Sequence, residues 1–171
     1  MPKIPWAILP LLLTITGTLD QTTRAMDRTG VSKDFNGDRE FVSQIENSVP
    51  RNSRVFQLPY FAYPEAEPIV QLGGYEHFKG YLHSKSLSWS TGAMNGRKTN
   101  EQLQKIAAMA PQDMVGALKK LGFCGVWIDR RGYPDGGLKF VSELRPFLPA
   151  RNGLISADQM RTFFYLDEGP K

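Results

Sequence analysis

PQDMVGALKKLGFCGVWIDRRGYPDGG, residues 111–137, reads as a helix, a stop, a strand and a loop in that order. Pro111 suits the first turn of a helix, and Met114, Val115, Leu118 and Leu121 recur at i, i+1, i+4 and i+7, the spacing of a core-facing stripe. Gly122 follows as the stop. Phe123–Ile128, FCGVWI, is an apolar run of buried-strand length with Asp129 directly after it. Helix, glycine, strand and acid make an α/β half-unit. The loop that follows, DRRGYPDGG (129–137), lies at the carboxyl end of the strand, where α/β folds place ligand groups.

Outward from this unit the signals stay readable toward the carboxy terminus. Pro134 and Asp135 open a further helix, GLKFVSELRPFL, with Leu138, Val141 and Leu144 on one side; Asn152 and Gly153 turn the chain, and Arg161–Leu166, RTFFYL, reads as a final strand. Toward the amino terminus, Thr99 or Asn100 caps NEQLQKIAAMA, whose inner face carries Leu103, Ile106 and Ala107. Further up, RVFQLPY (54–60) reads as a strand running into a loop, because Pro59 biases Leu58 toward extended geometry. Asp38 caps a short helix, DREFVSQIENSV, with Phe41, Val42 and Ile45 on one face. The polar run Gln21–Asn36 has no apolar period and reads as a tether or surface loop.

At 171 residues with 41% hydrophobic and 22% charged content, the chain suits one folded domain with a real core. The net charge of +4 comes from scattered lysines and arginines, without a basic block, an RNA-binding signature or a zinc-ligand spacing, so nucleic acid is not an expected partner and no metal site is expected. Gly92 and Gly96 match neither a P-loop nor a dinucleotide fingerprint, so no nucleotide cofactor is implied. The single cysteine, Cys124, excludes an internal disulfide and reads as a small buried hydrophobe.

Ile4–Leu19, IPWAILPLLLTITGTL, carries no charge, follows Lys3 and ends at Asp20. Its 16 residues fall short of the about 20 that span a bilayer upright. Three readings stay open: a secretory signal without an A-x-A-like cleavage site, a signal anchor or last transmembrane helix, and a buried soluble helix that Pro5, Pro10 and the missing polar face disfavour. The organisation expected is a transmembrane or signal-anchor segment at 1–20, a linker at 21–37 and a small mixed-sheet α/β domain at 38–171.

Tyr75–Arg97, YEHFKGYLHSKSLSWSTGAMNGR, concentrates aromatics, both histidines, hydroxyls and glycines in one run without a clean period, and is the candidate working surface. Sugar recognition needs flat apolar faces and bidentate polar groups, with arginine added for anionic sugars and lipid phosphates. Trp89, Tyr81, Tyr75, Trp127 and Tyr133 offer faces; His83, Arg97, Asp129 and Arg130 offer polar groups. Each also has a plain structural reading: Trp127 as core, His77 and His83 as hydrogen-bonded scaffold, Arg130 and Arg131 as loop cover, Asp129 as a cap or a partner of Arg97 or Arg130. The residues put forward for ligand binding are His83, Trp89, Arg97, Asp129, Arg130 and Tyr133. Asp129 and Glu65 are the candidates for catalysis, although Glu65 and Glu67 read equally as solvated loop acids.

The ordered set VFQLPY (55–60), Pro64 with Glu65, Tyr75–Arg97, LGFCGVWIDRRGYPDGG (121–137) and the terminal FFYL (163–166) resembles the soluble C-terminal part of a group of bacterial polytopic membrane proteins. Those proteins are similar to membrane-embedded sugar transferases that use a polyprenyl-phosphate-linked donor. The resemblance runs from Leu19 to Leu166. It implies that Ile4–Leu19 is a last transmembrane helix with LDQT leaving the membrane, and that the soluble domain lies on the extracytoplasmic side, in cell-envelope polysaccharide or glycolipid synthesis. Such transferases carry their catalytic acid in an early external loop, which this chain does not contain, so no catalytic residue carries over. The implied role is an accessory domain holding a glycan or lipid-linked sugar, or packing on the transmembrane portion of a larger protein. The alternative is a membrane-anchored carbohydrate-active hydrolase with Asp129 and Glu65 as its acid pair.

Overall fold

The seven residues Phe123–Asp129 form the middle strand of a five-stranded mixed sheet, in a computed structural model that describes residues 8–21, 28–64 and 66–168. The elements in chain order are α1 (Ile8–Gln21), α2 (Arg28–Ser48), β1 (Arg54–Leu58), α3 (Phe78–His83), β2 (Ser88–Trp89), α4 (Lys98–Ala107), α5 (Pro111–Lys120), β3 (Phe123–Asp129), α6 (Leu138–Leu144), β4 (Leu154–Ile155) and β5 (Arg161–Tyr165). They divide into two units, Met1–Lys33 and Asp34–Lys171.

In the second unit the sheet order is β2-β1-β3-β5-β4. β1 runs parallel to β2 and β3, and β5 runs antiparallel to β3 and β4. β3 is apolar from Phe123 to Ile128, up to its last residue Asp129, because both its faces are covered. Phe56, Leu58, Val126, Ile128 and Phe164 pack on one face with Leu103 and Ile106 of α4, Met114, Val115 and Leu118 of α5, and Leu144 of α6. Val55, Trp127, Phe163 and Tyr165 pack on the other face with Phe41, Val42 and Ile45 of α2. Each of these fully buried side chains contributes on the order of 2 kcal/mol of burial free energy. Gly125 is required where it stands: a Cβ there would meet the Phe163 ring at 2.2 Å and the Phe164 carbonyl at 2.8 Å.

The expected mixed-sheet α/β domain is present, and the strands at Arg54–Leu58, Phe123–Asp129 and Arg161–Tyr165 lie where the sequence pattern places them. Other expectations are corrected. The tether expected at 21–37 is helical from Arg28 onward, and Asp38, expected as a cap, lies inside α2 and faces the core at 2% exposure. Apolar periodicity is a signal of burial, so it marks only the part of α2 that packs on the sheet. α4 starts at Lys98 with Arg97 as its N-cap, so neither Thr99 nor Asn100 caps it. Asn100 is buried within that helix, and its Oδ1 accepts the Tyr60 hydroxyl at 2.7 Å. On α6, Leu144 is buried but Leu138 is 63% exposed. α3, β2 and β4 were not expected; they are 6, 2 and 2 residues long and take their shape from neighbouring elements.

In the first unit, α1 is 14 residues long and rich in exposed apolar side chains, Leu9, Leu11, Leu12, Leu13, Ile15 and Leu19, with Thr14 and Thr18 together on one side. Among the described residues no helix is long and apolar enough to cross a membrane.

Candidate functional site

Chain path places the site. From β1 the chain passes to β2 through α3 on the α2 face, where Lys79 reaches Asp38 and Trp89 packs on Trp127. From β2 it returns to β3 through α4 and α5 on the opposite face, and from β3 it continues to α6 on that same opposite face. The loops leaving β1 and β3 therefore diverge to opposite faces of the sheet. Open α/β sheets hold their ligands outside the carboxyl ends of strands at such a switch point.

Here the crevice itself is filled from within. A Cβ on Gly132 would lie 2.4 Å from the Pro59 ring and 3.2 Å from Leu72, and Leu72 is fully buried. His77, 1% exposed, closes the same space, with Nε2 2.8 Å from the Pro59 carbonyl. A carbonyl only accepts, so Nε2 carries the proton and Nδ1 is left as a buried acceptor with no partner among the described residues. Burial pushes the His77 pKa down, against the opposing pull of the Pro59 hydrogen bond and of Asp129. Gln57 braces the floor: its Nε2 donates to the His77 carbonyl at 2.7 Å and its Oε1 accepts the Thr91 N–H at 3.2 Å.

Above the plug is a pocket of about 330 Å³ lined by Val70, Gln71, Arg130, Arg131, Tyr133, Pro134, Gly136, Gln159 and Met160. Its wall contains two arginines and no carboxylate. Three of its residues have left-handed backbone: Val70 at φ +55°, Gln159 at +59° and Gly136 at +66°. For a β-branched residue that conformation is strained, and Val70 is in addition 54% exposed, so no packing of its side chain compensates. Val70 and Gln71 are the tip of a two-residue turn closed by reciprocal hydrogen bonds between Ile69 and Leu72, at 3.0 and 2.9 Å.

Beside the pocket runs a string of alternating charges: Asp158, Arg161, Asp38, Lys79, Glu76, Arg131, Asp129. Arg161 pairs with Asp158 at 2.7 Å and directly with Asp38; Lys79 joins Asp38 at 3.3 Å and Glu76 at 2.9 Å; Arg131 joins Glu76 at 2.9 Å and Asp129 at 2.6 Å. Burial raises the Glu76 pKa, but Lys79 and Arg131 together outweigh it and hold the carboxyl below its ordinary value. Arg131 is pushed up by its hydrogen bonds with Asp129. Tyr133 is pushed well above its usual range by burial and, secondarily, by Asp129 and Asp135, so its hydroxyl stays protonated.

The six proposed ligand residues do not form one site. Asp129, Arg130 and Tyr133 come together at the end of β3, but Asp129 lies beneath the pocket, 1% exposed and bound by Arg131 through its backbone N–H, Nε and Nη2. Its partner is thus neither Arg97 nor Arg130. His83 ends α3, stacks edge-on against Phe35 at 4.5 Å and lines a separate polar groove along α2 with Arg39, Glu46 and Lys85. Trp89 is half-buried, set at 90° to Trp127 and seated over Gly80. Arg97 is exposed ahead of α4. Glu65 lies outside the described residues, and Glu67 is exposed. Trp127 is core, as its alternation predicts, and Cys124 is half-buried with its thiol pKa pushed up by burial. The sequence reading misses Asp38, Glu76, Lys79, Asp158 and Arg161 of the charge string, and Val70, Gln71, Gln159 and Met160 of the pocket. Glu76 with Lys79 and Asp158 with Arg161 are local pairs three positions apart, but the links that join them into one string span up to 123 positions. Comparison with family models, curated proteins and solved structures finds no match to this chain.

Proposed function

We propose that this chain is an extracytoplasmic, ligand-holding accessory domain of a membrane glycosyltransferase-like protein of cell-envelope polysaccharide or glycolipid synthesis, with the catalytic step carried elsewhere. The observation that carries the non-catalytic part is the state of the acids at the carboxyl end of the sheet. Asp129 and Glu76 are held by Arg131, Asp158 is held by Arg161, and Asp135 accepts the backbone N–H groups of Gly137 and Lys139. A hydrolytic pair needs one carboxyl free to give a proton and another free to attack or to activate water. None of these four is free, whereas the pocket above them offers donors. The membrane part is supported by the exposed apolar residues of α1, Leu9, Leu11, Leu12, Leu13, Ile15 and Leu19, and by the resemblance of 19–166 to the soluble part of polytopic membrane proteins similar to sugar transferases.

The test uses the full chain and phospholipid vesicles of mixed phosphatidylcholine and phosphatidylglycerol. The protein is expected to sediment with the vesicles, the double variant Leu12→Asp, Leu13→Asp to remain in the supernatant, and no sugar to be released from a panel of envelope glycans. Wild-type protein that stays in the supernatant defeats the membrane part. Glycan hydrolysis that Asp129→Asn abolishes defeats the accessory part.

A further inference from the structure

We propose that the pocket at the carboxyl end of β3 is a phosphoryl-anion site, with Arg130 as its charged anchor. The inference rests on the ligand-holding reading above and names the chemistry of the ligand.

Two cations line the pocket, and their partners separate their roles. Arg131 gives Nε and Nη2 to Asp129 and also shares Nη2 with Glu76, at 2.6 to 2.9 Å, so its positive charge is already opposed by two carboxylates. Arg130 has no carboxylate partner among the described residues. Its Nε donates to the Gly136 carbonyl at 2.8 Å and its Nη1 makes a long contact with the Gln159 carbonyl at 3.5 Å. Two carbonyls orient a guanidinium without neutralising it, and they leave Nη2 for an incoming acceptor.

The acids that stand near Arg130 in the chain do not reach it. Asp129 turns inward to Arg131; Asp135 spends both oxygens on the start of α6; Asp158 is bound by Arg161, by the Ser156 hydroxyl and by the Met160 N–H. A fixed, half-buried guanidinium among spoken-for acids creates a local excess of positive charge in a recess of about 330 Å³, a volume that suits a phosphate with a small substituent. The exposed side chains of Gln71 and Gln159 add amide donors at the rim. The left-handed residues Val70 and Gln159 both line this recess, and strain of that kind is retained where a loop must hold a set geometry for a ligand.

Phosphoryl groups reach such a site either as free phosphate or on a phosphorylated sugar, and titration calorimetry on the full chain separates the two. The probes are inorganic phosphate, glucose 1-phosphate and glucose. Saturable binding of one or both phosphates, weaker at high salt, with glucose silent, is the expected result. Tighter binding of glucose 1-phosphate assigns the anion to a phosphorylated sugar, and equal binding assigns it to free phosphate. Arg130→Gln is expected to weaken binding at least about tenfold, the loss that follows removal of one charge-assisted contact. Gln71→Glu, at an exposed position where folding is not at stake, is expected to do the same by placing a carboxylate at the rim. His83→Ala, in the separate α2 groove, leaves affinity unchanged. Glucose binding as well as glucose 1-phosphate, or phosphate affinity untouched by both Arg130→Gln and Gln71→Glu, overturns the site. Protein that sediments with plain vesicles yet binds no phosphate defeats this inference and leaves the membrane reading standing.

Discussion

Asp38 is the residue on which the interior charges of this domain depend. It lies 2% exposed between Arg161 and Lys79, and among the described residues no other acid reaches both cations. Removing one member of a buried pair leaves the other charged and desolvated, so Asp38→Asn is expected to cost about 3 kcal/mol, read from urea denaturation midpoints. Val70 predicts the opposite sign. Replacing a β-branched residue at φ +55° by glycine relieves strain, and Val70→Gly is expected to gain about 1 kcal/mol in the same assay. Neither residue announces itself in sequence. Asp38 reads as a helix cap because an acid before an apolar period is the usual cap signal, and its real partner, Arg161, is 123 positions away. Val70 carries no such signal, since a backbone angle leaves no trace in composition.

At the level of elements, legibility follows the locality of the cause. α5, Gly122 and β3 are set by neighbours within a few residues, and the sequence pattern describes them closely. α3, β2 and β4 exist because other elements hold them: Glu46 of α2 accepts the backbone N–H groups of Lys85 and Ser86 at 2.7 Å each, which fixes the turn between α3 and β2. The site divides in the same way. Arg130 and Tyr133 follow a strand end and are found by position, whereas Glu76 reaches Arg131 across 55 residues. The tightest point of the sheet gives a prediction of its own. Gly125→Ala forces a methyl group to 2.2 Å from the Phe163 ring, and the resulting overpacking is expected to cost about 2 to 3 kcal/mol by thermal denaturation. Gly116→Ala on α5, where nothing lies within 4 Å of the added carbon, is the control that leaves stability unchanged or raised.

For the whole molecule the buried titratable groups set an acid limit. His77 is held neutral when folded, below its ordinary 6.5, so the unfolded chain takes up a proton first and the folded state's advantage shrinks as pH falls below 6.5. Glu76 is depressed from 4.5, and Asp158 from 3.8 to about 2 by Ser156, the Met160 N–H and Arg161 acting against burial. Their contributions are complete above those ordinary values and are lost on further descent. Stability measured against pH is therefore expected to fall in two stages, the first beginning near 6.5 and the second below 4.5. His77→Gln is expected to shrink the first stage and leave the second, the remainder of the first coming from His83, whose pKa burial also lowers.

The charge string also bears on how long the folded state lasts once formed. Its links join Asp38 to Arg161 and Glu76 to Arg131, pairs 123 and 55 residues apart, so they close only after the sheet has brought both ends of the chain together. Contacts of such long separation are costly to form early and are made largely after the folding barrier has been crossed. The string then acts as a latch on unfolding. In stopped-flow measurements Asp38→Asn is expected to raise the unfolding rate by most of its stability loss while leaving the folding rate nearly unchanged, which gives this small domain a slow clock rather than a fast start.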